Sequence, residues 1–387
     1  MRYPKNLPLD GTIGFVAPSF GCNIEPYRTA FDNALKIFQK KGHKIVLGPN
    51  CYAGCGVGIS NTPQACGKEL TESYCSKDSD ALISCGGGEL MCEILDYVDF
   101  EAIRKADPKW YMGYSDNTNF TFLLATLCDT AAVYGPCAAA FGMEPWHESL
   151  GDAYGILTGQ VTGVTGYELW EKESQKSEDN PLAPYNVTEP RKIRCFLGGK
   201  EISKAEADIR ISGRLIGGCG DCLVNLMGTC YDRGAEFAEK YREDGLIWFL
   251  ESCDLNVMAI RRAVWEMKHG GWFQNVKGFL MGRPYCHGQE MMGLDQYQAV
   301  LAQLEEYGVP VIMDLDLGHL PPMMPMICGA CAGSTGGGVK CSRVLLLLRC
   351  ARREIRHIVH PRSVYVVKLD GKAVEESTLH SVLVFFA

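Results

Sequence analysis

The chain has little of what marks a membrane or nucleic-acid protein. Its N-terminal MRYPKNLPLDGTIGFVAPS contains no apolar run long enough for a signal peptide or a membrane span. The expectation is a cytoplasmic protein with no membrane partner. Basic surface is scarce as well. The formal charge is −8, and no basic stripe with interleaved aromatics occurs in the first 330 residues, which argues against a nucleic-acid partner. The Gly-x-Gly-x-x-Gly of dinucleotide sites is also missing. Gly86-Gly87-Gly88 does not fit it, and no acidic residue follows at the matching distance, so no cofactor is implied. Charged residues make up 22% and hydrophobic residues 47% of the 387, an ordinary globular composition with room for two cores. Cysteine, by contrast, is abundant. The nineteen cysteines cannot all pair, and without an export signal they read as reduced thiols.

The first third alternates short apolar runs with helical periodicity. Strands are expected at 12–17, 43–47 and 81–85, and helices at 25–41, 62–75 and 89–97. Such alternation implies a parallel sheet covered by helices, with ligands at the carboxyl ends of its strands. The region 166–205 is polar and proline-containing, and reads as a loop or linker carrying Trp170 amid charges, where the plain alternative is a hydrophobic anchor pinning the loop to the body. From about Ile209 the alternation resumes, giving a second domain to about residue 338. Its apolar strand GLIWFLE ends in Glu251, and a later strand, Val309–Met313, leads into DLDLGHL with His319.

The stretch that organises the chain is KWYMGYSDNTNFTFLLATL, 109–127. An apolar strand breaks at Gly113, and helical spacing starts near Asn117, so Ser115 lies at a strand-to-helix bend. A serine there is exposed and has free helix N–H groups beside it, which suits a nucleophile with an oxyanion cradle. Gly-Tyr-Ser-Asp lacks the second glycine of Gly-x-Ser-x-Gly, and an ordinary N-capping serine or aspartate accounts for it equally well. Glu251 and His319 also end strands. Together with Ser115 they make the parts of a Ser–His–acid relay. Taken singly, they are a strand-end acid and a hydrogen-bonded turn residue, and spacing alone does not bring them together.

Several segments taken together resemble the LD-carboxypeptidase family of serine peptidases, which includes the microcin C immunity proteins. They are Gly14-Phe15-Val16-Ala17-Pro18-Ser19, Gly86–Gly88, Gly113 to Thr118, Tyr134-Gly135-Pro136, Leu215 to Gly218, Phe249-Leu250-Glu251, and Gly318-His319 with Pro321 to Pro325. The resemblance runs over roughly residues 1–338. It implies Ser115 as nucleophile, Glu251 as the acid and His319 as the base. Oxyanion donors would come from the backbone of Gly87 or Gly88 and of Asp116. It implies an α/β fold: a flavodoxin-like parallel-sheet domain over 1–165, and a smaller β-rich (α+β) domain over 206–338 carrying Glu251 and His319. A homodimer and a small peptide or peptidyl-nucleotide substrate follow from the same resemblance.

The expected activity is therefore a serine carboxypeptidase releasing terminal D-alanine from murein tetrapeptides. The alternative is cleavage of peptidyl or aminoacyl nucleotides. In that branch the tryptophan of a lengthened loop, here Trp170, stacks on the base. From other classes, a non-catalytic α/β binding protein stays open, as does a thiol or zinc protein built on Cys219-x-x-Cys222 and Cys328-x-x-Cys331. Both cysteine pairs fall within matching segments and read better as buried thiols, with no metal site expected. Residues 339–387 fit nothing. They carry a net charge of +5, which leaves −13 on the rest, and they read as an atypical basic tail.

Overall fold

The computed structural model describes residues 1–203 and 209–332, together with a two-stranded hairpin formed by Lys368–Leu369 and Lys372–Ala373. The remainder of the basic tail lies outside the described residues. Met1–Gly333 forms one compact unit. No helix among the described residues is long and apolar enough to cross a membrane.

The early alternation builds a parallel sheet. Strands β1 (Thr12–Val16), β2 (Lys44–Leu47), β3 (Ala81–Ser84), β4 (Trp110–Gly113) and β5 (Ala132–Tyr134) pair in parallel in the order 2-1-3-4-5. This is the flavodoxin-like order. β3, β4 and β5 are buried along their whole length, as expected of strands covered on both faces. Helix α1 (Tyr27–Lys40) buries Ala30, Phe31, Ala34 and Phe38 on one stripe. Helix α2 (Pro63–Cys75) begins at a proline, after the Thr62 hydroxyl that accepts the Ala65 N–H. The helix expected after the triple glycine is a 3-10 turn, Met91–Tyr97, followed by α3 (Phe100–Lys105). Helices α4 (Thr118–Thr126) and α5 (Glu148–Thr158) complete this half.

The stretch expected as loop and linker is better ordered than its composition suggests. It holds a hairpin, β6 (Leu169–Glu171) with β7 (Val187–Pro190), and a second, β8 (Arg194–Leu197) with β9 (Lys200–Ile202). After it come β10 (Gly213–Cys219), helices α6 (Gly220–Leu226) and α7 (Gly234–Lys240), β11 (Leu246–Glu251), α8 (Val257–His269) and β12 (Val276–Gly282). The small hairpin β13 (Glu290–Met291) and β14 (Leu294–Asp295), helix α9 (Gln296–Leu304) and β15 (Pro310–Leu315) follow. β10, β11, β12 and β15 are parallel neighbours, and β8 adds to β15 antiparallel.

Two late strands join the halves. β16 (Met326–Cys328) pairs with β5 of the first sheet, and β17 (Cys331–Ala332) with β10 of the second. The core does the same. Phe122 of α4 stacks on Trp272 at 5.2 Å, and Trp272 stacks on Trp248 of β11 at 5.7 Å. All three rings are fully buried. Each such side chain contributes about 1.5–3 kcal/mol of apolar burial. The helix that follows Ser115 is thereby anchored in the core of the second half, next to the strand that ends in Glu251.

Candidate active site

The bend expected after β4 is present and sharp. Ser115 has φ +62°, the left-handed region that a non-glycine residue enters at a cost of about 1–3 kcal/mol. Surrounding bonds hold it there. Its N–H donates to the Tyr134 hydroxyl at 3.1 Å. The Asn117 amide donates to Gly86 O at 2.8 Å and Tyr114 O at 3.0 Å, and the Tyr111 hydroxyl donates to its oxygen. Asp116 is buried. Its carboxylate accepts from the Ser19 hydroxyl, the Met91 N–H at 2.8 Å and the Asn119 amide at 3.0 Å. Burial raises the Asp116 pKa, and these donors oppose the rise.

The three strand-end residues meet. His319 Nε2 is 2.8 Å from Ser115 Oγ, and His319 Nδ1 is 2.8 Å from Glu251 Oε2. The other Glu251 oxygen accepts the Tyr134 hydroxyl at 2.5 Å. Tyr134 thus links the nucleophile's backbone to the acid's side chain, a role the sequence did not suggest. Gly318, with φ +102°, sits where a Cβ would fall 2.4 Å from Glu251 Oε2, so only glycine lets the turn pass over the carboxylate. The Glu251 side chain is fully buried and the His319 side chain 13% exposed. For His319, burial opposes the charged ring, but the carboxylate beside it prevails and the pKa is raised. For Glu251, burial pushes the pKa up, and the facing imidazole more than offsets it, leaving the carboxyl below its usual value. The arrangement can pass a proton from Ser115 to Nε2 while Glu251 fixes the tautomer.

The oxyanion candidates separate. Gly87 lies against the nucleophile: a Cβ there would fall 3.2 Å from Ser115 Oγ. Gly88 opens toward Ser19 instead, with φ +147° and space for a Cβ only 2.0 Å from the Ser19 oxygen. The backbone of Asp116 follows directly on Ser115 at the start of the 3-10 turn Ser115–Asn117.

Trp170 does not serve as an exposed stacking surface. It is buried, with the Arg283 guanidinium 4.9 Å above its ring and His287 at 5.3 Å. Arg283 in turn donates to Asp314 O at 2.9 Å and to Asp316 at 2.6 Å, and Asp316 also accepts the Tyr167 N–H at 2.7 Å. The indole is an anchor that pins the β6–β7 hairpin onto the segment leading to His319. Anchoring is one of the two roles expected for it, and only the residues that cover it, which come from far along the chain, are not legible in the sequence.

A cleft of about 340 Å³ opens at the triad, lined by Gly87, Tyr114 and His319 among others. Tyr27, Tyr114, Tyr185 and Tyr285 line it, and Lys176 is a half-buried cation on its wall. The two Cys-x-x-Cys pairs do not form a four-sulfur site. Cys219 and Cys222 lie behind the triad, Cys222 with its sulfur 3.6 Å from Ser115 O, whereas Cys328 is buried on β16.

Residues 13–135 match the LD-carboxypeptidase N-terminal domain and residues 212–333 the LD-carboxypeptidase C-terminal domain. The chain is 26% identical over 336 residues to the microcin C7 self-immunity protein MccF of Escherichia coli, covering 84% of this chain and 90% of that protein. A short stretch of 59 residues, 15% of the chain, is 49% identical to the Trk system potassium uptake protein TrkH of Escherichia coli strain K12, covering 12% of it. Among solved structures, MccF in complex with aspartyl sulfamoyl adenosine superposes with a TM-score of 0.72 at 22% identity, over 86% of this chain and 95% of that one.

Proposed function

Because the chain belongs to the LD-carboxypeptidase family, a family of hydrolases acting on peptide or amide bonds, we propose that it cleaves its substrate through Ser115. Ser115 Oγ attacks the scissile carbonyl as His319 Nε2 takes its proton, and His319 returns that proton to the leaving nitrogen. Glu251 keeps Nδ1–H engaged and stabilises the imidazolium that forms. The backbone N–H groups of Gly87 and Asp116 receive the developing oxyanion. The observation that carries this reading is the unbroken chain Ser115 Oγ–His319–Glu251, with both contacts at 2.8 Å.

Within that activity, peptidyl or aminoacyl nucleotides are the favoured substrates. The order expected from sequence puts murein peptides first, and the lining of the cleft supports placing nucleotides ahead of them. Four tyrosines line it, and a ring stacked on a base contributes about 1–3 kcal/mol without hydrogen-bond readout. Similarity to a self-immunity protein, and to a structure holding an aminoacyl sulfamoyl adenosine, supports the same choice. The murein reading keeps one specific support: Lys176 on the cleft wall offers a cation to a terminal carboxylate. Side-by-side turnover of aspartyl sulfamoyl adenosine and a murein tetrapeptide decides between them. Hydrolysis of the nucleotide at a kcat/KM at least tenfold higher is expected. Turnover of the tetrapeptide alone would return the protein to murein recycling.

A further inference from the structure

Cys219 is a buried thiol for which the mechanism has no use, yet it stands at the centre of the catalytic machinery. It ends β10 and pairs in register with Glu251 at the end of β11, so neighbouring strands deliver a sulfur and a carboxylate side by side. The Cys219 N–H donates to the Thr118 hydroxyl at 2.9 Å, which fixes the strand end against α4. Among the described residues, Cys219, Glu251 and His319 form the group whose ligating atoms converge as those around a metal ion do, all within 4.8 Å of one another. Thiolate, imidazole and carboxylate are the ligands of zinc and of softer divalent ions. Bonds of about 2.0–2.3 Å put such ligand atoms roughly 3–4 Å apart, so the trio closes around an ion with shifts of about 1 Å.

We propose that the triad doubles as an inhibitory site for a soft divalent cation, Zn²⁺ or Cd²⁺, held by Cys219 Sγ, a Glu251 oxygen and His319 Nδ1. The inference rests on the serine-hydrolase reading for its consequence, though not for the site itself. Nδ1 is the ring nitrogen that faces Glu251, so the ion takes the place of the Nδ1–H···O bond. The protons balance as follows. In a neutral ring the Nδ1 proton passes to Nε2, and the Cys219 thiol releases its proton to solvent, giving one proton per ion. A ring already protonated releases a second. Either way Nε2 carries a hydrogen while the ion is bound, and it can no longer accept the Ser115 proton. The ion inhibits by holding the wrong tautomer rather than by filling the substrate cleft.

The experiment uses the full chain and two readouts. One is the rate at which a serine-directed phosphonate labels Ser115, measured at buffered free Zn²⁺. The other is the ultraviolet thiolate-to-metal charge-transfer band on adding Cd²⁺, which needs no activity. Labelling is expected to slow at least tenfold and to recover with a chelator. Cys219→Ser, scaled to its own metal-free rate, should raise the midpoint more than tenfold and remove the corresponding part of the Cd²⁺ band. Cys331→Ser should change neither. A Cys219→Ser midpoint equal to that of the parent protein overturns the proposal, as does full labelling at saturating Zn²⁺. Cys219→Ala provides the same test should the serine variant melt early. Absence of labelling in metal-free protein sinks the serine reading, and the Cd²⁺ band still decides the site.

Discussion

At the scale of single residues, the proposed chemistry depends on a relay whose members cannot work apart. Ser115→Ala, His319→Ala and Glu251→Ala should each abolish turnover, and the double and triple variants should lose little more than the worst single one. Tyr134→Phe is a subtler test. It leaves the relay intact but removes the hydroxyl that donates to Glu251 and accepts from Ser115 N–H. A hydrogen bond to a charged group is worth about 1.5–3 kcal/mol, so a loss of roughly 10- to 100-fold in kcat is expected with the fold retained. Unchanged kcat in Tyr134→Phe would show that Glu251 needs no such support. Acidity gives a third check. Activity needs neutral His319, and the pKa of this ring is raised by Glu251 against the effect of burial. The acid limb of kcat/KM should therefore lie above the ~6.5 of a free imidazole. In Glu251→Gln the limb should move to lower pH while the plateau falls. A limb that stays in place would mean that Glu251 does not set the charge of His319.

At the scale of elements, the sequence carries what is local and hides what is not. The strand-to-helix bend at Ser115 is legible because Gly113 and the helical spacing from Asn117 stand next to it. Glu251 and His319 are legible as strand ends, and only the resemblance joined them. The Tyr134 link spans 117 residues to Glu251, and no periodicity signals it. The two readings of Trp170, base stacking and loop anchoring, stay open in the sequence for the same reason. The β6–β7 hairpin reads as polar loop because the charges around it are exposed, whereas Arg283 and Asp316, which brace it, come from the second half. Trp170→Ala should accordingly destabilise the protein by about 3–5 kcal/mol, as truncation of a buried aromatic does. It should also lower turnover of nucleotide and murein substrates alike. A loss confined to the nucleotide, at unchanged stability, would restore the indole to the substrate site.

At the scale of the whole molecule, everything the proposed chemistry uses lies within Met1–Gly333: both sheets, the three relay residues and the cleft. The joining strands β16 and β17 end at Ala332, inside that unit. A chain ending at residue 338 should then remain soluble and keep its activity, read by melting temperature and turnover together. Insolubility of that shorter chain would make the basic tail integral to folding. The central claim, that this fold assembles a serine nucleophile from residues scattered across two sheets, is tested most directly by mapping where a serine-directed phosphonate attaches. Peptide mass spectrometry of the labelled full chain should find one adduct, on Ser115, formed at a rate that collapses in His319→Ala. An unlabelled Ser115 in protein that still turns over substrate would contradict the account.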